Sequence, residues 1–257
     1  MIPLEIKDKT LIIGLIMTFC LVAILVHHHR QQPTVEPDKT VELLPDFSKI
    51  QPIAERKKAF FNFLRPFIKQ ENMQIRYDRA LLDKLKSDLH TAKHHQSTTI
   101  KKIERLAKSY HLELEMPVQT TIDELEKRID IIPEALVLVQ AANESAWGRS
   151  RFAKQAYNLF GQWCYTQGCG IIPNSRHEAA KHEVRKFESP QASVKSYMKN
   201  LNTHHAYTEL RELRLALREQ DRNITAKVLA PTLINYSQRR EAYVNELIQM
   251  IEQNNLE

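Results

Sequence analysis

Residues 133–148 read PEALVLVQAANESAWG, and this run decides the fold. It is apolar almost all round until Gln140, so a helix formed here has no solvent face and must pass through the centre of a domain. Pro133 suits a first helical position, where its missing N–H would have no partner in any case. Gly148 suits the C-terminal cap. Glu144 lies four residues beyond Gln140 and seven beyond Val137, which places it on the buried face in the last turn. Burial and the negative end of the helix dipole both disfavour a charged carboxylate there, so its pKa should be raised. A carboxyl that keeps its proton near neutral pH can protonate a leaving glycosidic oxygen. A solvent-facing Glu144 at a frayed helix end is the alternative that this segment alone leaves open.

Upstream, apolar residues recur at helical spacing through Phe60, Phe63, Leu64, Phe67 and Ile68, then Ile75, Leu82, Leu85 and Leu89. Pro66 predicts a kink or break between turns. A further stripe runs through Ile100, Ile103, Leu106 and Tyr110. After Pro117, Thr121 and Glu124 have capping-box spacing, which predicts a helix opening there. Only 5 of 257 residues are glycine and 26% are charged, a composition that favours helices over turn-rich sheets. The fold class expected is mainly α, with residues 54–120 as a helical N-terminal region and 121–257 as a second, site-bearing domain.

Thr10 to Val26 (TLIIGLIMTFCLVAILV) contains no charge and follows Lys7 and Lys9. It reads as an export signal, and the lack of a small-x-small site before His27-His28-His29-Arg30 favours an uncleaved transmembrane anchor within residues 1–30. Residues 31–53, with Pro33, Pro37, Pro45 and Pro52, read as an extended linker. The protein is thus expected at an inner membrane with its domain on the outer, periplasmic side.

The net charge of +6 suits an anionic partner, but the basic residues are dispersed and no nucleic-acid motif is present, which argues against nucleic acid. Cys164 and Cys169 could close a small loop in an exported domain or remain reduced thiols. No second cysteine pair accompanies them, and the histidines at 27–29, 94–95 and 204–205 are adjacent, diverging by about 100° on a helix, so no metal is expected. Trp147 and Trp163 could stack on sugar faces or pack in the core; beside the acid, Trp147 suits packing that desolvates Glu144.

The segment AANESAWGRSRFAKQAYNLFGQW, residues 141–163, resembles the signature of the bacterial glucosaminidase family. The match rests on Ala141, Glu144, Ser145, Trp147, Gly148 and Ser150, followed by Tyr157-Asn158-Leu159-Phe160-Gly161. The resemblance implies a lysozyme-like α+β domain with a short β-hairpin, an endo-β-N-acetylglucosaminidase activity on peptidoglycan, no cofactor, and Glu144 as the catalytic acid. It places Asn158, Phe160, Gly161, Trp147 and Trp163 as candidate substrate-binding residues. Val184 to Ser189 is similar to the family's strand-then-helix segment, and Asn235-Tyr236-Ser237 to the one whose tyrosine lines the cleft, which makes Tyr236 a candidate for orienting substrate. With FLRPFIKQEN at 63–72 and IRYDRALL at 75–82, the stretch from about 55 to 255 is also similar to a Bax-like family of enteric bacteria.

Many members carry a second acid on a hairpin across the cleft. Here that position falls near Ile171, and Glu178 and Glu183 are the only acids between Gly161 and Phe187. Either could be the second acid, or neither, with the substrate's N-acetyl group assisting instead. The Cys164–Cys169 loop could brace the hairpin in compensation. Two other activities stay open: a lytic transglycosylase-like cleavage that leaves an anhydro sugar, and a catalytically weak wall-binding scaffold.

Overall fold

The computed structural model describes residues 43–91, 96–113, 115–174 and 181–257. The apolar run at 10–26, the histidines at 27–29 and 94–95, and Glu178 lie outside them. Among the described residues no helix is long and apolar enough to cross a membrane.

Helix α1 (Ile53–Thr91) is the longest element and packs against α2 (Gln96–Ser109), α3 (Val118–Arg128), α4 (Glu134–Ser145) and α6 (Pro190–Thr203). Helix α5 (Arg151–Ala156) follows α4, and α7 (Thr208–Glu219), α8 (Ala226–Leu229) and α9 (Glu241–Gln253) complete the chain. In α4 eight successive residues, Ala135 to Ala142, are buried, as its all-round apolar sequence requires. It is enclosed by α1, α8 and α9, and one hydrophobic core runs through the molecule from Phe47 to Ile251.

Several local expectations are corrected. Pro66 does not end a helix: α1 runs through it. The carbonyl deprived of a partner belongs to Asn62, and both residues are exposed, so water can serve it, while Leu64, Phe67 and Ile68 stay buried on the other face. The capping box at Thr121 is not formed. Helix α3 starts earlier, and the Thr121 hydroxyl donates to the Pro117 carbonyl at 3.2 Å. Part of the expected linker is packed: Phe47, in a 3-10 turn at Phe47–Lys49, is 1% exposed and meets Phe60 edge-on at 5.3 Å between ring centres. Burying such a ring contributes roughly 1.5–3 kcal/mol.

In place of a simple hairpin there is a three-stranded antiparallel sheet in the order β1 (Trp163–Cys164), β3 (Glu183–Arg185), β2 (Gly170–Ile171). The last strand is central, with Cys164 opposite Glu183 and Ile171 opposite Val184.

The entrance to α4 is fixed by polar contacts. Asn72 exchanges two hydrogen bonds with the Ile132 backbone, at 2.8 and 3.0 Å. Arg214, fully buried, donates to the carbonyls of Lys127, Asp130 and Ile131 and to Asn202 Oδ1. Asp130, 2% exposed, takes two hydrogen bonds from Arg218 at 2.8 and 3.0 Å.

Candidate active site

Helix α4 ends one residue beyond Glu144, sooner than Gly148 suggested. The chain then takes three successive left-handed residues, Ala146, Trp147 and Gly148, with φ of 51°, 59° and 72°. Ser145 clasps this turn, donating to the Ala141 carbonyl at 2.5 Å and accepting from the Gly148 N–H at 2.8 Å. Gly148 is needed twice over, since a Cβ there would lie 2.7 Å from the Phe47 ring. Ser150 then caps α5 by accepting from Ala153 N at 3.1 Å.

Glu144 is half-buried and lines a cleft of about 1420 Å³ together with Phe160, Gly161, Gln162, Trp163 and Tyr236. Burial raises its pKa, the nearby Glu246 charge adds to this, and a hydrogen bond from Tyr243 with the charge of Arg239 opposes it; the net shift is upward. The last-turn position acts in the same upward direction.

The Tyr243 contact ends a buried relay. Tyr197 donates from its hydroxyl to Gln140 Oε1, and Gln140 Nε2 donates to the Tyr243 hydroxyl oxygen at 3.0 Å. Tyr243 therefore directs its own hydrogen at Glu144. Tyr243, as the donor in this contact, does not accept a proton from Glu144. Tyr236 stacks on Tyr243 at 5.5 Å and donates to the Phe160 carbonyl at 2.8 Å, tying the C-terminal segment to the loop beside the acid.

The other candidates divide by position. Phe160, Gly161, Trp163 and Tyr236 join Glu144 in the cleft. Trp163 is 56% exposed and stacks on His182. Asn158 is buried and spends its side chain on the chain itself, donating to the carbonyls of Gln162 and Arg185 and accepting from the N–H groups of Phe160 and Gln162. It shapes the loop and does not line the cleft. Trp147 turns away, packing on Phe60 and Phe61. Glu183 is 5% exposed, accepts from the N–H groups of Gly168 and Gly170 at 3.0 and 2.8 Å, and is not among the cleft-lining residues.

The sequence matches the glucosaminidase family, described as mannosyl-glycoprotein endo-beta-N-acetylglucosaminidase, over residues 119–256. The chain belongs to the glucosaminidase family. It is also 32% identical over 220 residues to protein bax of Escherichia coli strain K12, an alignment covering 82% of this chain and 74% of that protein. Among solved structures it is similar to the catalytic domain of the autolysin Auto from Listeria monocytogenes, at 21% identity, 68% of this chain, 92% of that one and a TM-score of 0.39.

In this glucosaminidase-family chain the sequence reading passed over the relay. Tyr197 and Tyr243 lie at inward positions of α6 and α9, and Gln140 stands at the end of the apolar run of α4. Each is a polar group at a buried helical position, where it must find a hydrogen-bond partner, and that requirement was the available signal.

Cys164 and Cys169 form a disulfide across the loop between β1 and β2. Their sulfurs lie near the Glu183 carboxylate, but bonded to each other they are not thiolate ligands for a metal. Denatured without reductant, the full chain should show one reactive thiol, from Cys20, out of three cysteines. Reduction should cost about 2 kcal/mol of stability by freeing the unfolded loop, read as a lowered Tm. Three reactive thiols before reduction would contradict the bond.

Gly161 has φ of +66°, and a Cβ placed there would lie 3.7 Å from Glu144 Oε2. Gly161→Ala should therefore cost about 1–2 kcal/mol in backbone strain, lowering Tm by a few degrees. It should also slow turnover beyond what the unfolded fraction explains, because the methyl takes up cleft space in contact with the acid. An unchanged Tm and rate would show that the loop adapts.

Proposed function

We propose that this protein hydrolyses the glycosidic bond after N-acetylglucosamine in peptidoglycan strands, with Glu144 donating the proton to the leaving oxygen. The observation that carries the reading is a carboxyl of raised pKa opening on a cleft and held from behind by a hydrogen bond that leaves its proton free. A charged carboxylate would have no proton to give, and a fully enclosed one could not reach substrate. Trp163 supplies an apolar plate, and Tyr236 orients the loop carrying Phe160 and Gly161.

With Glu183 engaged by the backbone of the β1–β2 loop, the oxocarbenium side of the transition state falls either to Glu178, which lies outside the described residues, or to the substrate's N-acetyl group. The apolar run at 10–26 would anchor the chain in the inner membrane and hold the cleft against the wall on the periplasmic side.

The test is digestion of purified sacculi by the full chain, with the new ends read by mass. Reducing N-acetylglucosamine ends support the proposal. Anhydro ends, lighter by one water, would assign lytic transglycosylase chemistry. Tight binding of sacculi with no release by folded protein would favour the wall-binding scaffold, a reading that the placement of Glu183 outside the cleft lining keeps in view.

A further inference from the structure

The cleft that holds Glu144 continues into a side groove. Arg185, Ser196 and Lys199 line the cleft and also a second hollow of about 900 Å³ bounded by α1 and α6. That hollow shares Glu71, Gln74, Glu188, Ala192 and Lys195 with a third of about 600 Å³. The three hollows adjoin one another through these shared residues, beginning beside β3.

Their charges are arranged by element. Helix α1 contributes Glu71 and Asp78, and α6 contributes Lys195 and Lys199. Asp78 is already engaged, accepting from the Tyr110 hydroxyl at 2.8 Å and from Gln74 at 2.9 Å. Glu71 is different. It is half-buried and feels Lys195 and Lys199, yet no ion pair between it and either of them is formed among the described residues. Burial pushes its carboxyl up, and pushes the Lys199 ammonium, seated 3.4 Å from the centre of the Tyr110 ring, down to about 8. Opposite charges kept partly out of water and not paired with each other carry a desolvation cost that a ligand bearing both signs would offset.

A neutral glycan offers no such ligand, since its sugars carry no ammonium for Glu71. A peptide branch with carboxylates and a free amino group offers both. We infer that the groove between α1 and α6 holds the peptide branch of the peptidoglycan strand, its carboxylates toward Arg185 and Lys199 where the groove meets the cleft, and its free amino group toward Glu71. This rests on the peptidoglycan reading proposed above. The branch hangs from the glycan whose bond is cut, and the groove meets the cleft that holds the acid at Arg185, Ser196 and Lys199. The site makes the protein a reader of peptide-bearing strands, with denuded glycan the poorer substrate.

Two measurements test this and separate it from the hydrolase reading. The first is calorimetric binding of the free tetrapeptide alanyl-γ-glutamyl-diaminopimelyl-alanine to the purified full chain, comparing wild type with Glu71→Gln and Arg185→Gln. Arg185 is exposed, so its substitution leaves the core intact. Wild type should bind, and each variant should bind about tenfold more weakly, the loss of one charge-assisted contact. The second is the ratio of fragments released from intact sacculi to those released from sacculi stripped of peptide by an amidase. Wild type should favour intact sacculi, and both variants should bring the ratio toward one. No peptide binding by wild type, or binding that neither substitution weakens, overturns the groove assignment whether or not glycan is cut. Binding that follows the expected pattern while neither preparation is cut leaves the groove standing and removes the hydrolase.

Discussion

Glu144→Gln should reduce fragment release from sacculi by about 10²-fold or more, the scale of a lost general acid, while leaving the protein folded. Glutamine fills the same space and still accepts the hydrogen bond from Tyr243, so substrate positioning survives and only the proton is lost. The same substitution should not lower stability at neutral pH. Because burial raises the Glu144 pKa in the fold, the contribution of this group to stability is fully present below the ordinary glutamate pKa of about 4.3 and is lost as pH rises through the raised value. Glutamine has no charged form, so the variant should match or exceed wild-type Tm near neutrality. The activity of wild type should fall with rising pH over the same interval in which Glu144 deprotonates. A variant with wild-type release would remove Glu144 from the chemistry. One that loses release only through a large drop in Tm would make it a structural residue.

How far the sequence could carry these conclusions depended on whether each property is local. The central helix was legible because an unbroken apolar run from Ala135 to Val139 admits few placements, and Glu144 followed from counting turns. Its raised pKa followed from that position. The left-handed turn after Ser145 was less legible: Gly148 announced an end, but Ala146 and Trp147 give no sign of positive φ, and the Ser145 hydroxyl that clasps the turn looks in the sequence like any serine. Docking of Phe47 was hidden because Pro45 and Pro52 bracket it and argue against a regular element; its partners, Phe60 and Gly148, come from two other segments. The placement of Glu183 was illegible for the same reason. Whether an acid in a 27-residue loop faces the cleft or the backbone depends on strand order, and here the third strand lies between the other two, aiming that carboxylate at the N–H groups of Gly168 and Gly170.

Asp130→Ala should destabilise the fold by about 3–5 kcal/mol, the largest stability effect expected of a single substitution here. Burial alone would raise the Asp130 carboxyl, but the Arg218 hydrogen bonds and the charges of Arg214 and Arg79 hold it below its ordinary value. Removing it leaves Arg214, with no exposure to water, to carry its charge on backbone carbonyls and Asn202 alone. The loss should appear as a Tm lowered by about 10 °C, taking about 2–4 °C per kcal/mol for a domain of this size. The pH dependence runs opposite to that of Glu144: the Asp130 contribution is present above the ordinary aspartate pKa of about 3.9 and is lost as pH falls through its depressed value. The variant should therefore lose less stability than wild type on acidification. Replacing Asp130 by leucine and Arg214 by methionine together should recover much of the loss, because no buried charge is then left without its partner. This cluster holds the entrance of the helix whose far end carries the acid, about 18 Å away for a 12-residue helix. Activity of Asp130→Ala, measured well below its Tm, should stay near wild type, since the Tyr243 contact sets Glu144 locally. A loss of stability under about 1 kcal/mol would mean that water reaches Arg214, and activity lost without a Tm shift would mean that the entrance of α4 sets the acid directly.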